Sequence, residues 1–185
     1  MSQEILKEAS AAMERTLEAT GEDFASVRTG RANPGLYAKV MVDYYGSYTP
    51  LQQLASFNVP DARTILITPY DVSALREIEK ALSDSEVGAN PSNDGKTIRV
   101  TMPQLTEERR KEFVKLIKSK AEDHKIGIRN HRRKAKEAID KQVKDGEIGE
   151  DDGARAEKEL DANTKRFIDE IDEMAKAKEQ ELMEV

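Results

Sequence analysis

Eight positions in the second half of the chain recur at spacings of 4, 3, 4, 3, 4, 3 and 4 residues: Lys111, Lys115, Lys118, Glu122, Lys125, Arg129, Arg132 and Lys136. Seven of the eight are basic, and on an α-helix this spacing places them all on one face. At 1.5 Å per residue they form a cationic ridge about 38 Å long. Arg133 widens it, and Arg109 and Arg110 extend it at the start. A row of fixed positive charge suits phosphate groups. No aromatic residue interleaves with the arginines, so phosphate contact is favoured over base stacking, as for folded RNA recognised by shape. The alternative is a solvated face neutralised by acidic side chains of a neighbouring helix. The block itself holds few acidic residues, so pairing within the helix is not expected to neutralise it.

Other chemistries find less support. Gly95-Lys96-Thr97 resembles the end of a phosphate-binding loop, but Asn90 stands where that motif needs glycine. Strand-like sequence follows instead of a helix, so a hairpin turn is expected. His124 and His131 are the only histidines, seven residues apart. Two helical turns separate them by roughly 10 Å, too far to share a metal ion within one chain. Both fall on an apolar stripe and read as seam residues. The carboxylates lie mostly in helical acidic runs, with no apolar pocket to shift their pKa. The absence of cysteine excludes a disulfide scaffold, a thiol nucleophile, a zinc finger and an iron–sulfur cluster. No catalytic constellation, metal site or cofactor is expected.

The chain has 185 residues and a net charge of −6, but the charge is segregated. Residues 1–108 carry a net −6, residues 109–136 a net +9 and residues 137–185 a net −9. The middle block is as basic as a nucleic-acid-binding segment. No apolar run approaches a membrane span. The opening MSQEILKEAS lacks a basic region followed by an apolar stretch. A soluble, cytoplasmic protein is expected.

The elements that must carry the ridge follow from a second asymmetry. All six prolines and all five tyrosines fall between residues 31 and 104, where 15 of 74 residues are charged, against 51 of 111 outside. Proline-free, charge-rich stretches suit helices, whereas clustered Pro, Tyr and Gly suit strands and turns. A first helix is expected from Ser2 to about Arg28, with Leu6, Ala9, Met13, Thr16 or Leu17, Thr20, Phe24 and Val27 on its buried stripe and Thr29-Gly30 as its stop. A second should open at Thr106 and run to about Lys144. Its seam is Val114, Ile117, Ala121, His124, Ile128, His131, Ala135 and Ala138. A third should begin near Glu150, carrying Leu160, Thr164, Phe167, Ile171, Met174 and Leu182. Three such helices imply an α+β chain built on an elongated antiparallel three-helix bundle of residues 1–30 and 104–185. The bundle is interrupted by an inserted domain of residues 31–103. There, strands are expected at 39–45, 63–68 and 97–101, with a helix capped by Asp71.

In order along the chain, several motifs resemble the bacterial ribosome recycling factor family: Arg28-Thr29-Gly30-Arg31-Ala32-Asn33-Pro34, Tyr44-Tyr45-Gly46, Thr49-Pro50-Leu51, Leu105-Thr106-Glu107-Glu108-Arg109-Arg110-Lys111, Arg129-Asn130 with Arg132-Arg133, and Gly146 to Asp151. The resemblance implies a long three-helix bundle with a small β/α/β insert, L-shaped like transfer RNA. Such factors bind the post-termination bacterial ribosome on the large subunit, at the intersubunit face. They act with elongation factor G, which hydrolyses GTP, to split the subunits and release messenger and transfer RNA. They bind no cofactor and perform no covalent chemistry. Carried over, Arg129, Arg132 and Arg133 would grip ribosomal RNA, with Arg110, Lys111, Arg28 and Arg31 as further contacts. Thr29, Gly30 and Arg31, with Pro103, Gln104 and Leu105, would form the hinge. A monomer is expected. The competing reading is a non-enzymatic helical RNA-binding or chaperone-like protein outside the ribosome cycle.

Overall fold

The computed structural model describes residues 2–85 and 90–184. They gather into two compact units. One is built from the chain up to Phe24 together with Lys115–Gln180, the other from Ala25–Val114 and the residues from Glu181 on.

Three long helices supply the first unit: α1 (Ser2–Ala25), α4 (Glu107–Lys144) and α5 (Glu150–Met183). Leu6, Ala9, Met13, Thr20 and Phe24 of α1 are buried, as the 3–4 periodicity requires. α4 buries Ile117, Ala121, Ile128, Ala135 and Ile139. Its stripe therefore ends on Ile139 beside the expected Ala138, because 3.6 residues per turn carries a heptad seam round the helix. Leu160, Phe167 and Ile171 of α5 complete the core. The two histidines are half-buried seam groups that reach α1. His124 Nε2 lies 3.0 Å from Asp23 Oδ2, and His131 Nε2 lies 3.0 Å from Thr16 Oγ1. α4 and α5 lie close together at Gly153, where a Cβ would meet Val143 Cγ2 at 2.5 Å. The helices turn at Asp145–Gly149, where Gly146 adopts φ +74°.

The second unit contains a β1–β2 hairpin (Met41–Tyr44, Ser47–Pro50) and an antiparallel four-stranded sheet. That sheet has the order β3-β4-β6-β5, formed by Ala55–Asp61, Thr64–Pro69, Ile98–Thr101 and Ser92–Asn93. A single turn, α2 (Leu51–Leu54), links β2 to β3, and α3 (Leu75–Asp84) packs Leu75, Ile78 and Leu82 into the core. Asp71 accepts from Ser73 N at 2.9 Å just before α3, as its capping role predicts. Tyr45 and Gly46 both have positive φ, the requirement of a two-residue hairpin turn. Gly95 turns the β5–β6 hairpin at φ +93°, and Asp94 Oδ1 accepts from the backbone of Lys96 and Thr97. The phosphate-loop look-alike is therefore a hairpin turn.

Differences from expectation are local. α1 ends at Ala25, three residues short of Arg28, and the chain beyond it buries Val27 and Thr29. Strands β2, β3 and β5 lie where the residue pattern predicts none. β3 is an edge strand that tolerates Pro60 and a register shift between Asn58 and Asp61.

Candidate nucleic-acid interface

Thr106 starts α4 by accepting from Arg109 N at 3.1 Å, and Glu107 and Glu108 complement the helix dipole. Thirty-eight residues without proline then carry the basic face as one rigid element.

Carboxylates clip much of that face. Lys125 Nζ lies 2.8 Å from Asp172 and 3.4 Å from Glu122. Arg129 Nη1 donates to Glu122 at 3.0 Å, Arg132 Nε donates to Asp161 at 2.6 Å, and Lys136 lies 2.9 Å from Asp140 and 3.6 Å from Glu157. Lys111 pairs with Glu107 at 3.3 Å. Pairing with a neighbouring helix, the alternative weighed above, thus applies to part of the ridge, and the expectation that pairs within α4 would not contribute is corrected by Lys111–Glu107, Arg129–Glu122 and Lys136–Asp140. Asp161, Asp172 and Glu157 all come from α5, so the net +9 and net −9 segments partly meet side by side. Asp172 holds the Lys125 ammonium above its ordinary pKa, and Arg129 with Lys125 holds the Glu122 carboxyl below its own. The partners are findable in principle: reflecting the chain about the turn at residues 145–149 places Arg132 opposite residue 162 and Lys136 opposite residue 158.

Most of the clips are open to solvent, and pairs of that kind add little stability, so a phosphate can compete for the same cations. Among the described residues, Lys115, Lys118, Arg133 and Lys134 have no ion-pair partner. Arg133 and Lys134 stand beside Arg132, so the densest available charge lies at the Arg129–Lys134 turn.

The remaining candidate residues lie in the second unit. Arg31 pairs with Glu184 at 3.2 Å, both side chains being more than half exposed. Arg28 and Arg110 are half-buried, and the Nε of each is buried without a hydrogen-bond partner. Arg109 lies over the Phe113 ring at 5.4 Å. Of the expected hinge residues, Thr29 is buried and accepts from Arg31 N at 3.4 Å. Gly30 has φ +82°, with Leu105 3.7 Å from where its Cβ would stand. Pro103 and Gln104 are exposed. Among the described residues, no group of three His, Asp or Glu side chains is placed to hold a metal ion, and no helix is long and apolar enough to cross a membrane.

Residues 20–183 match the family model described as Ribosome recycling factor. The ribosome-recycling factor of Micrococcus luteus is 76% identical over 185 residues, covering all of both chains, and that of Streptomyces coelicolor is 56% identical over the same span. A solution structure of the ribosome recycling factor, 40% identical, superposes with a TM-score of 0.77 over 100% of this chain and 98% of that one. The T. thermophilus ribosome recycling factor, in a structure with E. coli elongation factor G bound to the E. coli post-termination complex, is 41% identical with a TM-score of 0.71, covering all of both chains. Similarity of this extent, over the full length of the chain, leaves one assignment: the chain belongs to the ribosome recycling factor family.

Proposed function

We propose that this chain binds the large ribosomal subunit after termination and, with elongation factor G hydrolysing GTP, splits the ribosome into subunits. The observation that carries the reading is the full-length similarity to recycling factors, 76% identity with the M. luteus protein. The chain's part is binding and mechanical, not covalent. Family membership favours this reading over an RNA-binding or chaperone-like role outside the ribosome cycle.

We assign the basic face of α4 to ribosomal RNA, a reading its row of cations supports. Arg129, Arg132 and Arg133 are its centre. Lys111 and Arg110 extend it toward the helix start, and Arg28 and Arg31 add charge in the second unit. We place the hinge at Thr29 to Arg31 and Pro103 to Leu105, two backbone segments that both lie within the second unit. The factor works as a cytoplasmic monomer in this reading. In pelleting assays with purified large subunits, an Arg129/Arg132/Arg133 triple alanine variant should bind at least about tenfold more weakly. Wild-type binding should weaken steeply as salt rises, because phosphate contacts release counterions. Undiminished binding by the triple variant, with affinity independent of salt, would remove the α4 face from the account.

A further inference from the structure

The three arginines at the centre of the α4 face are presented in three different ways. Arg133 has no ion-pair partner among the described residues. Arg129 donates an Nη1 proton along its own helix to Glu122. Arg132 alone is held by its Nε, which donates to Asp161 Oδ1 across the helix pair at 2.6 Å. A guanidinium has five N–H donors in a rigid plane. Once Nε is engaged, the four Nη protons remain, and for Arg132 none has a protein acceptor among the described residues. The Nη pair is one of the two edges that can grip a phosphate with parallel hydrogen bonds. Arg132 is also the least exposed of the ion-paired arginines, with one third of its side chain accessible, whereas Asp161 is half exposed. A pair so open to solvent adds little to stability. What it does do is engage the guanidinium through Nε and leave its Nη edge without a protein acceptor among the described residues.

We propose that Asp161 is a positioning residue for RNA recognition, holding Arg132 so that its Nη edge is preorganised for one phosphate of folded ribosomal RNA. The proposal rests on the reading of α4 as the RNA-binding face. An arginine free to swivel can meet any phosphate, at an entropic cost paid on binding. One held in place favours an RNA whose phosphate already sits at the matching point. Asp161 adds a negative charge that disfavours phosphates arriving elsewhere. Asp161 should therefore raise selectivity for the structured site while lowering affinity for RNA in general.

The test compares binding of the full chain to purified large subunits and to poly(U), an unstructured RNA. Asp161→Ala makes the protein more positive, so bulk electrostatics alone would strengthen both interactions by similar factors. Preorganisation instead predicts stronger poly(U) binding but unimproved or weaker subunit binding, so that the affinity ratio falls by about fivefold or more. In an Arg132→Ala background the same change should leave the ratio within about twofold. Asp161→Glu, which can still accept from Nε, should recover part of the ratio. Circular dichroism and melting temperature establish that each variant is folded. Equal strengthening of both interactions, no change in the ratio, or the same fall in the Arg132→Ala background would overturn the positioning role. Failure of the parent reading has its own signature: Arg132→Ala would bind subunits as the wild type does.

Discussion

At the scale of single residues, the least expected feature is an unpaired hydroxyl in the second unit. Tyr37 is fully buried and stacks on Phe57 at a ring separation of 5.9 Å, yet its Oη has no hydrogen-bond partner among the described residues. Burial pushes its pKa up to about 12, against a smaller lowering by the nearby Arg28 guanidinium. Replacing an unsatisfied buried group by an apolar one of the same shape is neutral or stabilising. Tyr37→Phe should therefore keep or raise stability at pH 7, by up to about 1 kcal/mol in urea unfolding. Alkaline pH sharpens the test. In the unfolded chain the phenol ionises near its ordinary value of 10.0, but in the folded chain it holds its proton to about 12. Across that window the unfolded state binds fewer protons, so wild-type stability falls as pH rises. The Phe variant lacks this contribution, and its advantage should widen between pH 10 and 12. An advantage that shrinks over that range would mean that the folded pKa lies below the unfolded one, the Arg28 guanidinium outweighing burial.

At the scale of elements, two helical glycines should respond to the same substitution with opposite signs. In α4, a Cβ at Gly127 would sit 3.6 Å from Thr16 Cγ2, an ordinary contact. Gly127→Ala should gain about 0.5–1 kcal/mol, since glycine is a poor helix residue. In α5, a Cβ at Gly153 would stand 2.5 Å from Val143 Cγ2. That methyl belongs to a β-branched side chain with little freedom to turn aside, so Gly153→Ala should lose about 1–3 kcal/mol despite better helix propensity. Urea unfolding of the two variants checks both signs. The same contrast explains what can be read from the sequence. Periodicity exposes α1, α4 and α5 because each helix repeats its pattern over many turns, and it marks Gly127 as a weak point. Periodicity cannot show that Gly153 has no room for a side chain, because that depends on Val143 of the neighbouring helix. Strand β3 escapes it for a related reason. Ala55–Asp61 has one strongly buried residue and a proline, and its backbone pairing with β4 supplies what its side-chain pattern lacks. The ridge is legible as a row of charge. Its cross-helix pairing becomes legible only once the turn at residues 145–149 is used to fold α5 back on α4, because Asp161 and Asp172 act on it from 29 and 47 residues away.

At the scale of the whole molecule, function and charge segregation are one problem. A net charge of −6 would keep the chain off RNA in general, while the α4 face supplies local affinity. Binding and splitting can then be divided between different parts of the chain, and Gly30 tests that division. It lies far in sequence from the α4 arginines, adopts φ +82°, and would leave an added Cβ only an ordinary contact with Leu105 at 3.7 Å. A substituted side chain therefore has room, and the penalty falls on the backbone, where a β-branched residue at this φ costs about 1–2 kcal/mol. If rotation at this segment accompanies splitting, Gly30→Val should bind large subunits within about twofold of wild type. It should nevertheless slow subunit splitting with elongation factor G by about tenfold or more. Gly30→Ala should fall between the two, as a smaller perturbation of the same torsion. Light scattering for splitting, and pelleting for binding, separate the quantities on the same preparation. An equal loss of binding and splitting would make the glycine a docking or folding requirement. Loss of splitting alone places a moving segment at Gly30, because nothing in the α4 face has been touched.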